Sequence, residues 1–439
     1  MASIEDIAKE LGGFELATTF RGVPPGTRWL PASSIAARHW RPADGRMSLP
    51  LLSLDLKTYA ENKSTMLGIC RAVSCEIAPH AKTPMSPVLA RDLIASGAWG
   101  TSVADLRQAE VMLGNGIGRV LIANEIGGAH AAKRLAALLG GYKGAEVYLF
   151  VDSPELIDKL GLEWKAASDL PALRLLIEVG CGRGGVTSDR QVTEIIDAIA
   201  AAAEPRLQLA GIAAYEGTAN TPDEAQLRAN LDDLFARVRS ALGSARKHVG
   251  PASRLVLSMG GSSLFDHVIV GCAPIVQEDG NAFLLLRSGA CFFSDHGPIR
   301  DRLRAMAARG KLGVDLSENI AASFKPALRL WAEVLSVGNG GTAICGFGLR
   351  DVAHDQGLPV PLNLWRDGAR IADIATSATM VKLNDQHAFI RAAAEGVFHI
   401  GDVVEVGVRH PCTTIDKHDL IYGLDETGRV TAAMRTFFG

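Results

Sequence analysis

Eight short apolar runs, separated by amphipathic stretches, constrain this chain more than any other feature of its sequence. The runs are VSCEIAP (73–79), GTSV (100–103), RVLIANE (119–125), EVYLFVD (146–152), LRLLIEVG (173–180), LQLAGIAAYEG (207–217), RLVLSMGG (254–261) and AFLLLRSG (282–289). Between them lie helical patterns such as VADLRQAEVMLG, AHAAKRLAALLG and DRQVTEIIDAIAAAAE. The runs are nearly continuously apolar, as strands buried on both faces are, rather than alternating. Ser, Asp or Thr often stands where an N-cap belongs. Eight strands, each followed by a helix or a long connection, predict an α/β fold: a (β/α)8 TIM-like barrel over 49–315. A doubly wound open sheet is the alternative, but the count of eight and the lack of a switch point favour closure.

After about residue 320 the alternation stops. LRLWAEVLSVG, TAICGFG, DVVEVGV and RVTAAMRTFF read as strands between Gly and Pro turns. They predict a β-rich C-terminal domain over 316–439, which the 49–55 strand is free to join. Residues 1–48 are irregular, rich in Pro and Arg, and form an extension with no assigned role. Hydrophobic residues are 48% of the 439 and charged residues 21%, enough to bury a large core. Lys and Arg number 45 against 48 Asp and Glu, a net charge of −3 that argues against nucleic-acid or membrane-surface partners. The seven cysteines are odd in number, widely spaced and never in a C-x-x-C pair, which argues against a disulfide framework or a closed structural zinc site. The start, MASIEDIAKELGGF, lacks the basic and apolar regions of a signal peptide, and no apolar run reaches about 18 residues. A soluble cytoplasmic protein is the expectation.

A barrel enzyme carries its chemistry at the C-terminal ends of its strands. The first run ends in His80, Lys82 and Thr83. A lysine there points into the barrel mouth, where burial would lower its pKa as a Schiff-base amine needs; a lone lysine is otherwise a snorkelling surface residue. The fifth run leads through Glu178 into a glycine-rich loop with Arg183, suited to a ring oxygen or carboxylate, or else paired with Glu at the rim. Its G-x-G-x-x-G spacing lacks the context of a dinucleotide site. The sixth run presents Tyr215, or packs it in the core. The seventh ends in SMGGSS, with Gly260, Gly261 and Ser262, and the eighth in ArgSerGlyAla, with Gly289 and Ala290. The loops after strands seven and eight are the usual phosphate site of such barrels. In the tail stands His410-Pro411-Cys412. If that stretch is extended, His410 and Cys412 face one side and can grip a metal, with nitrogen and sulfur favouring zinc; an ordinary buried cysteine is the plainer reading. Lysine, phosphate site and barrel together suggest pyridoxal phosphate.

The stretch from about Leu49 to the C-terminus resembles the alanine-racemase-like (fold-type III) pyridoxal-phosphate enzymes, and more narrowly the D-serine dehydratase / D-threonine aldolase family. The residues that carry this are PHAKT at 79–83, EVGCGRGGV at 178–186, AYEG at 214–217, the GGSS loop, RDVAHDQGLPVP at 350–361 and RHPCTTIDK at 409–417. The last two look most like an amino-acid deaminase branch. The resemblance implies a homodimer, Lys82 as the cofactor-bearing lysine, and His410 and Cys412 as ligands to Zn2+ (or Mn2+ or another divalent metal). It implies Gly260, Gly261 and Ser262 at the phosphate, and Arg183 and Tyr215 flanking the ring, with His80, Gly289 and Ala290 also in the cofactor site. Cys291 stands where the family usually has tyrosine, and Glu216 where it has His or Pro, departures that put the phosphate grip and the substrate in question. The implied activity is a lyase: elimination of water from a D-3-hydroxyamino acid such as D-serine or D-threonine, giving a 2-oxo acid and ammonia. Aldol cleavage to glycine and an aldehyde is the alternative, needing a base near the hydroxyl for which His296 and His354 are candidates.

Overall fold

The computed structural model describes residues 2–338 and 340–438. The eight runs form parallel strands, here β1 (Glu76–Ile77), β2 (Thr101–Val103), β3 (Arg119–Ile122), β4 (Glu146–Val151), β5 (Leu173–Val179), β6 (Leu207–Ala214), β7 (Leu255–Ser258) and β8 (Ala282–Leu286). They pair in chain order, and β8 returns to β1. The gap between β1 and β2 is bridged by main-chain bonds, Trp99 N–H to Ile77 C=O at 2.9 Å, Ser102 N–H to Pro79 C=O at 3.1 Å and Ala81 N–H to Ser102 C=O at 2.7 Å. The sheet therefore closes into a TIM-like barrel.

The pleat divides each strand's side chains between two cores. Ala78, Leu121, Phe150, Leu176, Ala213 and Leu285 fill the barrel interior. The alternate residues, such as Leu149, Leu175 and Ile212, pack outward against the helices. Those helices present one apolar stripe each, as in Asp189–Ala201, where Val192, Ile195, Ile196 and Ile199 are buried. Their starts are capped as the sequence suggests: Asp105, Ser188 and Asp223 side chains each accept a first-turn N–H.

Ten strands make the β region, with Leu51–Asp55 among them. That strand runs antiparallel to Leu328–Gly338 and parallel to Leu420–Leu424. The residues before it are more ordered than their composition suggests. Helix Ile4–Glu10 is held by a capping box between Ser3 and Asp6. Leu16, Val23, Leu30 and Ile35 share a core with Trp331 and Tyr422 of the β region. Its loops reach the C-terminal mouth of the barrel, where His296 N–H bonds Val408 C=O at 2.8 Å. No described helix is long and apolar enough to cross a membrane.

Candidate active site

A cavity of about 280 Å³ opens at the barrel mouth. Of the residues singled out by sequence, His80, Lys82, Arg183, Tyr215, Gly261, Ser262, Gly289, Ala290 and Cys412 line it. Gly260 and His410 do not: Gly260 lies behind the wall and His410 beside Cys412. The expected burial of Lys82 is not found, because its side chain stands exposed in the open cavity. His80 is half-buried, and desolvation, with Lys82 and Arg287 nearby, holds its pKa well below the ordinary value. It is a neutral imidazole beside two cations. Gly289 is obligatory where the β8 loop crosses His80, since a Cβ there would sit 2.6 Å from the His80 carbonyl oxygen. The Arg183 guanidinium lies 5.3 Å from the centre of the Tyr215 ring, so the two form one wall.

The seventh loop differs from expectation. The Glu216 carboxylate, 1% exposed, accepts the Gly260 N–H at 3.1 Å and the Gly261 N–H at 2.6 Å. Those two amides are thus already satisfied, and Glu216 faces away from the substrate space. Ser262 remains at the cavity, its Oγ accepting the Cys291 N–H at 3.2 Å. Cys291 itself is buried, and desolvation pushes its thiol up to about 12, so it offers nothing in place of a tyrosine hydroxyl.

Two arginines complete the wall, neither singled out from the sequence. Arg287, 7% exposed, ends β8. It bonds Ser258 Oγ at 2.9 Å and Ala214 C=O at 2.8 Å and lies 5.2 Å from the Phe150 ring centre. No carboxylate pairs with it among the described residues, and burial lowers its pKa. Arg302, on helix Pro298–Arg309, donates to Ser263 Oγ at 3.1 Å. The signal for Arg287 was an arginine closing an apolar run; Arg302 had none, being a charge on an exposed helix.

His410-Pro411-Cys412 is not extended. His410 caps the short helix Pro411–Ile415, because proline's fixed φ suits the first helical position. Cys412 still lies close to His410. With Asp355 it pushes the imidazole's pKa up to about 9, Cys412 contributing most. His410 Nδ1 meets Asp355 Oδ2 at 2.6 Å, and Thr413 Oγ1 donates to the other oxygen at 3.0 Å. This leaves Nε2 for a ligand. Cys412 Sγ is 3.3 Å from Thr83 Oγ1, which ties the tail to the lysine loop. No cluster of three or more His, Cys, Asp or Glu side chains among the described residues is arranged to hold a metal. A cation at His410 and Cys412 would take its other ligands from water or substrate. His296 is partly buried against Gly407, with burial pushing its pKa down to about 3, and neither it nor His354 lines the cavity.

A closed (β/α)8 barrel with a lysine after its first strand and a β region over its mouth defines the alanine-racemase-like class. The family profile described as "Alanine racemase, N-terminal domain" matches residues 54–273, and one described as "Putative serine dehydratase domain" matches 327–424. The chain belongs to the first of these families. It is 28% identical over 385 residues to the 3-hydroxy-D-aspartate aldolase of Paracoccus denitrificans (strain Pd 1222), covering 87% of this chain and 89% of that protein. Among solved structures, D-threonine aldolase from Filomicrobium marinum superposes with a TM-score of 0.70 at 24% identity, covering 89% and 96% of the two chains. D-threo-3-hydroxyaspartate dehydratase from Delftia sp. HT23 gives 0.66 at 19%, covering 91% and 99%.

Proposed function

We propose that the protein is a pyridoxal-phosphate- and zinc-dependent lyase that eliminates water from a D-3-hydroxyamino acid, giving a 2-oxo acid and ammonia. The observation that carries this reading is the meeting of Lys82, an anion-binding wall and Cys412 on one cavity, with Thr83 joining lysine loop to thiol loop. The cavity fits the cofactor: Lys82, Arg183, Arg287 and Arg302 line it and no carboxylate does. An unpaired buried guanidinium such as Arg287 takes its counter-charge from a ligand. Ser262, Gly289, Ala290 and Arg302 would hold the phosphate, and His80, Arg183 and Tyr215 the ring. Pyridoxal phosphate supplies an aldehyde for amines and a ring that withdraws electrons from Cα. His410 and Cys412 would hold zinc, which supplies a Lewis acid for the departing 3-hydroxyl.

The chain's own part is positioning and proton transfer. Lys82 Nζ would hold the cofactor and, as an amine at the cavity wall, would be the group to take the Cα proton. Arg183 and Arg302 give the substrate carboxylate and cofactor phosphate charged partners. Asp355 holds His410 through Nδ1, so Nε2 would be the nitrogen to bind zinc. The D preference rests on resemblance, as does the homodimer. Aldol cleavage to glycine and an aldehyde is the second reading, favoured by the aldolases among the relatives. It needs a base at the 3-hydroxyl, and the two histidines considered for it lie off the cavity wall.

The test is to incubate the purified protein with a panel of D-3-hydroxyamino acids and identify the products. A 2-oxo acid with ammonia, lost on chelation and restored by zinc, is expected. Glycine with an aldehyde would replace the first reading by the second.

A further inference from the structure

Residues 2–48 contribute nothing to the cavity wall, yet one of their side chains reaches behind the proposed metal ligands. Arg21 Nη1 pairs with Asp351 Oδ1 at 2.8 Å. The same atom stands 3.4 Å from the carbonyl oxygens of Arg350 and Lys417. The residue is held from its own side too. Its carbonyl accepts the Tyr422 hydroxyl at 2.6 Å, and the Tyr422 ring lies so close to Gly22, φ +88°, that a side chain there would collide with it.

The two loops that Arg21 touches are those of the site. One, 348–355, carries Asp355; the other, 410–418, carries His410 and Cys412. They are sewn together at several points. His418 Nε2 bonds Asp351 C=O at 2.7 Å, Ala353 N–H donates to Thr414 Oγ1 at 3.2 Å, and Asp355 meets both His410 and Thr413. Asp351 is the centre of this seam. It is 2% exposed, and its second oxygen accepts the Gly348 N–H at 2.8 Å. A buried carboxylate needs a counter-ion, and Arg21 is the cation paired with it. Removing that cation leaves a buried charge whose escape to water pulls on both loops.

We infer that Arg21 is a positioning residue of the His410–Cys412 pair: the N-terminal extension completes the metal site from behind, through Asp351. This rests on the metal reading above. It differs from general bracing in what it changes, because a shift between the loops alters how the Asp355–His410 and Cys412 donors converge. Outer partners of metal ligands typically govern affinity by 10–100-fold, and Arg21 acts one step further out, so a loss of about tenfold is expected.

The experiment uses the full-length protein, R21M, the conservative R21K, and D351N, which removes the buried charge together with its partner's purpose. Zinc affinity is measured by chelator competition, the cobalt-loaded protein is examined for its thiolate-to-metal absorption, and pyridoxal phosphate binding and thermal midpoint are recorded alongside. R21M is expected to bind zinc about tenfold more weakly with an altered cobalt spectrum and unchanged cofactor affinity. R21K should recover part of the loss, and D351N, which leaves no unpaired carboxylate buried, should lose less than R21M. Should R21M not fold, R21K and D351N carry the same comparison. A lower midpoint with wild-type zinc affinity and cobalt spectrum in the folded variants would overturn the proposal. A wild-type protein that binds neither metal would remove the metal reading and this inference with it; one that binds metal with Arg21 indifferent removes only the inference.

Discussion

Two rims meet across the cavity, and they are built on different principles. The barrel rim is made of strand ends and glycine loops, with Lys82 and Arg183 exposed in an open mouth. The β-region rim is made of two loops tied together through their side chains, with Asp351 and His418 buried and Asp355 gripping His410. A glycine loop fits a ligand by backbone approach and is held by the strands behind it. The two tail loops also join strands, but they are tied to each other through a network of hydrogen bonds and an ion pair. The contrast implies that the barrel rim binds the cofactor independently of the tail, while the tail rim is sensitive to each member of its seam.

The largest effect is expected at Lys82. Lys82→Ala should abolish the bound-cofactor absorption and lower turnover by at least about a thousandfold, read by an absorption scan and product assay. Full activity with an unchanged spectrum would overturn the assignment. Next comes Cys412→Ala, which should lose metal and cost about a hundredfold in turnover while the cofactor spectrum persists. Metal analysis and absorbance on one sample check this. If the cofactor were lost as well, the two rims would not be independent.

Acid acts at both rims, because burial lowers the pKa of His80 as well as that of His418. Burial depresses His418's pKa to about 4 from an ordinary 6.5, so the folded protein binds this proton less readily than the unfolded chain. Its stability is then fully present above about 6.5 and falls with pH toward about 4, by about 1.4 kcal/mol per unit within that window. Urea midpoints at pH 7 and pH 5 should differ accordingly. H418N, with no such proton to refuse, should take that share off a slope that His80 and His296 also feed, and an unchanged slope would sink the assignment to His418.

How much of this was legible in the sequence divides along the same line. The barrel strands were readable because burial on both faces leaves continuous apolar runs, and strand ends then point to His80, Lys82, Arg183 and Tyr215 without further information. The seam was not readable. Arg21 is far along the chain from Asp351, as Asp355 is from His410, and no local period marks their contacts. The extended reading of His410-Pro411-Cys412 failed for a local reason, since proline begins a helix there. Glu216 was noticed as a departure, but only the fold shows that its carboxylate consumes the Gly260 and Gly261 amides.

That last contact makes the smallest effect the most discriminating. With those amides satisfied, the barrel rim lacks two of its expected main-chain donors, and Arg302 is the side chain placed to make up the difference beside Ser263. The residue is exposed, so water screens its charge and its contribution is modest, about 1 kcal/mol or fivefold in affinity. R302Q should therefore weaken pyridoxal phosphate binding to the cofactor-free protein about fivefold, yet leave pyridoxal, which lacks the phosphate, unaffected. Titrations of both followed by absorbance separate the cases. Equal weakening of the two would place Arg302 at the ring or the loop's shape. No weakening of either would return the phosphate to Ser262 and the β8 loop.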